Sequence, residues 1–288
     1  MGNELNVRLL VPDDFSQMYR TFIDAFSRYS VKMDLSKAAF RERMEGKVNI
    51  SYDHSVGVFD GEKLVGFIFN SINTYDGIKT AYNGGTGVIQ AYWGQGMTKR
   101  MYEYIFPILR RDGIQRCVLE VITTNTKAIN AYSKTGFKQS RRFRCFMLKG
   151  QLRSLEKPKK GLSISIARDV DLDHLMKLST SKPAMLDSYE QLVFNLKNET
   201  CLLAHCQKEI AGYLIFQHKT GRISQIAVKK EYRRQKIGTA LLHKARAISE
   251  NPALTILNIE ESDSVVIEFF KSNGFVNELD QYEMKLIL

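Results

Sequence analysis

The chain carries the same strand–turn–helix pattern twice, and this internal repeat constrains its fold more than any other feature. Trp93 and Arg233 stand at the same place in the two copies, 140 positions apart. Gly136 and Gly274, each followed by a phenylalanine, are 138 positions apart. Offsets this similar, each about half of the 288 residues, predict two units built on one plan rather than one large core.

The first copy has the features of a phosphate-binding turn. An apolar strand over 82–89 leads to Gly94-Gln95-Gly96, and a helix with one apolar face begins at Met97. Glycines allow the backbone to approach an anion closely, and the N–H groups of the first helical turn favour negative charge. Gly-x-Gly alone is also consistent with a tight turn that binds nothing.

A second segment runs from Asn125 to Phe137 and predicts a short helix that ends at a glycine before a strand. Together the turn and this segment resemble the GNAT superfamily of acetyl-CoA-dependent N-acetyltransferases. The phosphate loop of that family reads Arg/Gln-x-x-Gly-x-Gly/Ala, and its second motif reads Asn-x-x-Ala-x-x-x-Tyr-x-x-x-Gly-Phe. Because both motifs recur in the second half, the resemblance covers nearly the whole chain.

The resemblance implies an α/β (α+β) fold with two tandem GNAT folds. Each would have a mixed, mostly antiparallel central sheet with a splayed parallel pair, flanked by helices. We predict an N-terminal, catalytic GNAT domain over 1–150 and a C-terminal GNAT-like domain over 162–288, which is either a degenerate, structural copy or binds coenzyme A without the same acid. The polar, basic segment 151–161, which contains Pro158, is the predicted linker.

The resemblance also implies acetyl-CoA as cosubstrate and no metal. Val88 and Ile89 would bond the pantetheine arm through their main-chain groups, and Asn125 would contact the same arm. The other predicted cofactor contacts form the phosphate loop: Trp93, Gly94, Gln95, Gly96, Met97 and Thr98.

Two residues are candidates for the proton transfers. Tyr132 matches the tyrosine of the family, whose hydroxyl can protonate the departing thiolate; the alternative is an aromatic ring that only packs on the sheet. Glu120 lies on the strand beside the splay and is a candidate general base acting through a water. A hydrogen-bonded strand carboxylate is an equally good interpretation of Glu120.

The two halves depart from the family pattern in opposite ways. The first loop has Trp93 at the Arg/Gln position and Thr98 at the last small position, but keeps its central glycine. The second loop keeps Arg233, but Lys236 replaces the central glycine. The second half also has Phe270 where the first has its tyrosine, and a phenyl ring cannot donate a proton. We therefore expect the first half to be catalytic.

These observations predict an N-acetyltransferase that acts on a primary amine of a small molecule or peptide by direct attack in a ternary complex. A non-catalytic acetyl-CoA-binding or regulatory protein remains the alternative. The formal charge of +11 also raises nucleic acid as a partner, but no motif supports it. We expect a cytoplasmic monomer or homodimer without membrane or nucleic-acid partners.

The four cysteines are interpreted as reduced structural residues. Cys117 and Cys145 lie in apolar strand patterns, which is typical of small core residues. Cys201 and Cys206 flank His205, but their spacing fits no standard zinc pair.

Overall fold

The computed structural model describes residues 5–29, 31, 33–155, 160–167, 169–251 and 253–288. The chain forms two compact units. The first unit comprises Met1–Ser140 and Glu283–Leu288, and the second comprises Arg141–Tyr282. These bounds differ from the predicted domain boundaries, because the chain passes between the units within strands. Of the predicted linker 151–161, residues 156–159 lie outside the described residues.

The first unit contains strands and helices in the order that its sequence predicts. Its antiparallel strands β1 to β4 come before the parallel pair of β4 with β5. Its strands pair in the order β1-β2-β3-β4-β5, and the end of the last strand of the chain lies beside β5. The elements are β1 (Leu5–Leu9), α1 (Phe15–Phe26), α2 (Lys37–Arg41), β2 (Val56–Asp60), β3 (Lys63–Tyr75), β4 (Ile78–Val88), α3 (Met97–Arg111), β5 (Arg116–Ile122), α4 (Thr126–Lys134) and the start of β6 (Lys138–Leu148).

The second unit repeats this order. Its strands pair in the order β12-β6-β11-β10-β9-β8-β7. The elements are β7 (Leu162–Ile166), α5 (Leu172–Met176), α6 (Tyr189–Asn195), β8 (Thr200–Cys206), β9 (Glu209–Phe216), β10 (Arg222–Val228), α7 (Ile237–Ile248), β11 (Thr255–Glu260), α8 (Ser264–Ser272) and β12 (Phe275–Ile287).

Each unit has a parallel pair of strands that separates after a few residues. In the first unit, the pairing of β4 with β5 ends at Asn83 and Leu119, while β4 runs on to Val88. In the second unit, the pairing of β10 with β11 ends at Ile223 and Ile256. The predicted fold, with a splayed parallel pair in a mixed sheet, is confirmed in both units.

A β-bulge lies where each pair separates. Phe69 pairs with Gly85 and Asn70 with Asn83, so Gly84 is the extra residue in β4. At the equivalent place in β10, Ser224 is the extra residue between Ile223 and Gln225. A bulge bends the strand and re-aims the residues beyond it, so both units open a wedge between their parallel strands.

Helix α3 packs on the first unit with the face that its periodicity predicts. Met97, Met101, Ile105 and Leu109 are all buried. On the side of α1, the core is built mainly of phenylalanines, and the rings of Phe67 and Phe69 stack with centroids 4.1 Å apart. Such rings bury a large apolar area each and dominate core energetics.

The second unit has an apolar core of its own around β9, β10 and α7, which includes Phe216, Ile223 and Leu241. All four cysteines of the chain are buried and unbridged. Among the described helices, none combines the length and apolar character of a membrane span.

Candidate active site

The phosphate loop of the first unit adopts the conformation that its glycines allow. Gly94 and Gly96 have φ angles of 76° and 73°, in the left-handed region, and Gly96 begins α3. Met97 turns its side chain into the core, whereas Gln95 is exposed and Thr98 half-buried. The first-turn N–H groups of a helix have no partners within the helix, so the loop presents amide donors at the start of α3.

The second loop has the same backbone despite its different residues. Arg234 and Lys236 have φ angles of 62° and 64°, so both adopt the conformation of the two glycines. Arg233 Nε donates to the carbonyl oxygen of Val228 at 3.1 Å. Trp93 Nε1 makes the equivalent bond to Val88 at 2.6 Å. Trp93 therefore holds its loop against the strand as the arginine does, but without the charge.

Two of the main-chain groups of Val88 and Ile89, which were predicted to bond the pantetheine arm, already have hydrogen-bond partners within the protein. The carbonyl of Val88 accepts the hydrogen bond from Trp93, and the amide of Ile89 donates to Val65 O at 3.0 Å. The carbonyl contact closes the loop onto the end of β4, and the amide contact continues the pairing with β3. The role of Val88 and Ile89 in cofactor binding stays a prediction.

Tyr132 lies on α4 with its ring packed against Tyr102 and Phe137, at centroid distances of 6.4 and 5.9 Å. Tyr102 in turn accepts a hydrogen bond from Asn83, the residue at which the pairing of β4 with β5 ends. Burial raises the pKa of Tyr132 to about 12, and the Thr86 side chain opposes that shift. The phenol is therefore protonated at neutral pH and lies beside the wedge.

Asn125 joins the predicted site to α1. Its Oδ1 accepts from the backbone N–H of Ala128 at 3.1 Å and caps α4. Its side chain also opposes the shift that burial causes in the pKa of Tyr29, the tyrosine that follows α1. Burial raises the pKa of Tyr29. Asn125, Tyr29 and Tyr132 are thus brought together, whereas Glu120 contacts Tyr82 on β4, whose hydroxyl donates to its carboxylate.

A hydrogen-bonded group that sequence reasoning missed lies next to Tyr132, whose ring packs against Tyr102. Asn83 Nδ2 donates to Thr86 Oγ1 and to Tyr102 Oη, both at 2.7 Å. We call the four residues Asn83, Thr86, Tyr102 and Tyr132 the tyrosine cluster. The sequence signal that could have found it is the run Asn83-Gly84-Gly85-Thr86, which places two polar residues and two glycines directly before the phosphate loop.

The second unit has apolar residues at every position of the tyrosine cluster. Applying the offsets of 140 and 138, the equivalents are Ile223, Ile226, Leu242 and Phe270. Ile223, Leu242 and Phe270 are buried core residues, and Ile226 packs against them. The equivalent of Asn125 is Asp263, which caps α8 and accepts a hydrogen bond from Ser181.

A cavity of about 400 Å³ lies in the wedge of the second unit. It is bounded by β10, β11, the start of α8 and the segment 179–184. Its polar lining includes Ser181, Ser224, Gln225, Asn258, Glu260 and Asp263. The sequence did not predict an open wedge here; on one side of it, the short side chain of Ser181 bonds Asp263, the equivalent of Asn125. Among the described residues, no three His, Cys, Asp or Glu side chains are grouped as metal ligands.

Comparison with known proteins agrees with this geometry. The GNAT acetyltransferase family model matches residues 15–137, and a GNAT acetyltransferase domain model matches residues 197–277. Together the two matches cover more than two thirds of the chain. No curated protein matches it. The chain belongs to the GNAT family of acetyltransferases and contains two tandem GNAT domains; the family uses acetyl-CoA as cosubstrate.

Solved structures share the fold over the full length of the chain. A GCN5-related N-acetyltransferase from Sphaerobacter thermophilus has a TM-score of 0.75 at 15% identity, covering 98% of this chain and 95% of that one. A tandem GNAT protein from the clavulanic acid biosynthesis pathway has a TM-score of 0.72 at 14% identity, covering 99% and 98%. At these identities the likeness shows the fold alone.

Proposed function

We propose that this protein is an acetyl-CoA-dependent N-acetyltransferase whose first unit transfers the acetyl group to a primary amine of a small molecule or peptide. The observation that carries the proposal is the position of Tyr132, whose ring packs against Tyr102, which is bonded to Asn83 at the point where β4 leaves its parallel neighbour. In the GNAT fold this wedge receives the pantetheine arm, so a phenol here lies beside the reacting thioester.

The reaction is a direct attack in a ternary complex. The neutral amine attacks the thioester carbonyl and forms a carbon–nitrogen bond, and the carbon–sulfur bond then breaks. The leaving sulfur takes the proton of the Tyr132 hydroxyl, and the proton released by the attacking amine returns the tyrosine to its neutral form. Glu120, through a water, is the proposed acceptor that relays the proton of the amine.

The phosphate loop supplies binding and orientation. The first-turn amides of α3 and the positive end of its dipole favour the pyrophosphate of coenzyme A. Holding both substrates in a reactive geometry accounts for much of the rate in reactions of this kind. Trp93, Gly94, Gln95, Gly96, Met97 and Thr98 form this loop, and Asn125 lies beside the acid.

Replacing Tyr132 with phenylalanine tests the proposal. The ring and its packing persist, so we expect unchanged acetyl-CoA affinity and a turnover number lower by on the order of 10²-fold or more. Steady-state release of coenzyme A, with calorimetric titration of acetyl-CoA, measures both quantities. Phe270→Tyr in the Tyr132→Phe background is the matched control and should restore no activity. An unchanged kcat with chemistry rate-limiting would remove Tyr132 from the mechanism.

A non-catalytic acetyl-CoA-binding protein is the second candidate. The cavity in the second unit favours it, because that wedge is open but carries Phe270 in place of a tyrosine. The two candidates differ in one measurement: release of coenzyme A from acetyl-CoA with a panel of polyamines, amino sugars and short peptides. Acetyl-CoA binding without release for any amine would favour the second candidate.

A further inference from the structure

Trp93 and Lys127 form a pair beside the phosphate loop of the first unit. Nζ of Lys127 lies 5.7 Å from the centre of the indole ring, within the range of a cation–π contact. The indole itself is fixed, because its N–H donates to the carbonyl oxygen of Val88 at 2.6 Å. The residue after the tryptophan is Gly94, the first glycine of the loop, so the ring holds the ammonium group close to the loop.

The positive charge of Lys127 is available to a ligand. The side chain is exposed, and none of the ion pairs formed among the described residues includes it. Lys99, at the start of α3, differs in this respect, because its ammonium group pairs with Glu103 at 3.5 Å. The indole ring attracts the cation of Lys127 through its quadrupole and leaves the charge in place.

The position of Lys127 in its helix is unfavourable for a cation. It is the second residue of α4, which begins at Thr126 and has no acidic residue in its first turn. The positive end of the helix dipole lies at the N-terminus, where a negative charge is favoured and a cation is repelled. A residue that breaks such a local rule without compensation inside the protein is expected at a functional site.

The second unit shows that the fold needs neither member of the pair. With the offsets of 140 and 138, Arg233 is the equivalent of Trp93, and Val265 is the equivalent of Lys127. Val265 is 66% exposed, so packing does not require a long side chain at that position. Arg233 makes the same contact with its strand as the tryptophan and carries a charge of its own.

We propose that Lys127, held over the indole of Trp93, is the cation that binds the pyrophosphate of coenzyme A in the first unit. It supplies from α4 the charge that an arginine would supply from position 93, while the loop supplies the amide donors. A free lysine side chain loses rotamer freedom when it binds, and the contact with the indole reduces that loss in advance. This inference rests on the function proposed above, which places acetyl-CoA in the first unit.

Removing the charge tests the inference through binding alone. In calorimetric titration at low ionic strength, we expect Lys127→Gln to weaken acetyl-CoA binding about threefold to fivefold, the range of one partly exposed ion pair. Lys127→Arg should bind like the wild type. Lys99→Gln and Arg100→Gln, which remove charges at the start of α3, are the controls and should each cost less than about twofold. Losses as large as that of Lys127→Gln would show only a general attraction and overturn the contact.

Exchanging the pair for that of the second unit is a sharper test. Lys127→Val alone should bind acetyl-CoA as weakly as Lys127→Gln. Trp93→Arg combined with Lys127→Val returns the charge to the loop, so the double variant should bind within about twofold of the wild type. A double variant as weak as Lys127→Val would overturn the inference, because a charge at 93 would then fail to replace the charge at 127.

Shortened ligands identify the group that the lysine binds. With the fastest amine of the panel, Lys127→Gln should lower kcat/KM equally for acetyl-CoA and for its dephospho form, which keeps the pyrophosphate but lacks the 3′-phosphate. The loss should vanish with acetyl-pantetheine, which has neither group. A loss that vanishes already with the dephospho form would move the contact to the 3′-phosphate, and a loss that remains with acetyl-pantetheine would indicate a structural effect. Either outcome would overturn the pyrophosphate assignment.

The charge of the loop itself separates this inference from the proposed function. Binding that Gln95→Glu weakens and Lys127→Gln leaves unchanged would overturn the role of Lys127 alone, because the cofactor would still occupy the first unit. Binding that both variants leave unchanged, and that Gln235→Glu weakens, would place the cofactor in the second unit. The proposed function and the role of Lys127 would then fail together.

Discussion

Trp93 keeps the geometry of the phosphate loop while removing the positive charge that Arg233 gives the second loop. Its indole N–H bonds the carbonyl of Val88 as Arg233 bonds Val228. A positive charge is supplied nearby by Lys127, whose Nζ lies 5.7 Å from the centre of the indole ring. The equivalent of Lys127 in the second unit is Val265. The first unit therefore has its positive charge on the lysine beside the tryptophan, whereas the second unit has it on Arg233 itself.

Trp93→Arg should therefore preserve the loop and strengthen cofactor binding. The guanidinium can make the same bond to Val88 and adds a charge beside the pyrophosphate site. We expect the affinity for acetyl-CoA to rise about threefold to tenfold at low ionic strength, with the gain falling as salt screens the charge. Calorimetric titration at two salt concentrations measures this. Trp93→Phe, which lacks the N–H, is the control, and weaker binding by Trp93→Arg would contradict the loop assignment.

At the scale of residues, sequence alone could predict the site where a local motif carries it. Tyr132, Asn125 and the glycines belong to motifs of fixed spacing, and the structure brings the first two together. Asn83 and Thr86 belong to no motif; their hydrogen bonds depend on the bulge at Gly84 and on a contact with α3, which no local pattern specifies.

At the scale of elements, strand and helix types were predictable but their lengths were not. The sequence predicted a strand over 82–89, whereas β3 and β4 form one long hairpin that turns at Asp76 and Gly77. Both turn residues have positive φ, which suits the twist of a hairpin. The extension of both strands was not predicted, because many residues of 71–79 are polar and do not show the pattern of a strand that packs on an apolar core.

A buried carboxylate lies in the turn that precedes α1. Asp14 accepts from the backbone N–H of Val11 at 2.9 Å and from Arg8 at 2.7 and 2.8 Å. Asp14 is buried and Asp13 is exposed. The hydrogen bond from the Arg8 guanidinium is the main cause that lowers the pKa of the Asp14 carboxyl.

This difference gives a pH-dependent prediction for the stability of the first unit. A carboxyl whose pKa is lowered by folding stabilises the native state above its unfolded pKa, near 4, and loses that contribution as pH falls through the lower folded value. Asp14→Asn should therefore cost about 1–3 kcal/mol of unfolding free energy at pH 7 and less as the pH drops below 4. Urea unfolding across this range measures it, with Asp13→Asn as the neighbouring control; equal costs at every pH would contradict the ion pair.

At the scale of the whole molecule, the two units are one architecture with two different interiors. The first has hydroxyls in its wedge, and the second has a cavity of about 400 Å³ lined with polar side chains beside an apolar core. The repeat in the sequence predicted the shared architecture. It could not predict the open wedge, since the volume of a cavity depends on how loops such as 179–184 pack.

Two equivalent glutamines, one in each phosphate loop, allow a matched test of which unit binds the reacting cofactor. Gln95 and Gln235 occupy equivalent positions, and each donates from Nε2 to the carbonyl four residues earlier, at 3.2 and 3.0 Å. Gln→Glu removes the same bond and adds the same negative charge in either loop. If the first unit binds the reacting cofactor, Gln95→Glu should lower kcat/KM for acetyl-CoA about fivefold at low ionic strength, through repulsion of the pyrophosphate.

Gln235→Glu should leave kcat/KM unchanged in the same assay, and Gln95→Lys should raise it, because the sign of the added charge is reversed. Raising the salt concentration should bring Gln95→Glu and Gln95→Lys toward the wild-type value. A loss confined to Gln235→Glu would move the reacting cofactor to the second unit, where Phe270 provides no proton. The acid would then have to come from the polar lining of the cavity, and Tyr132 would lose its role together with the first loop.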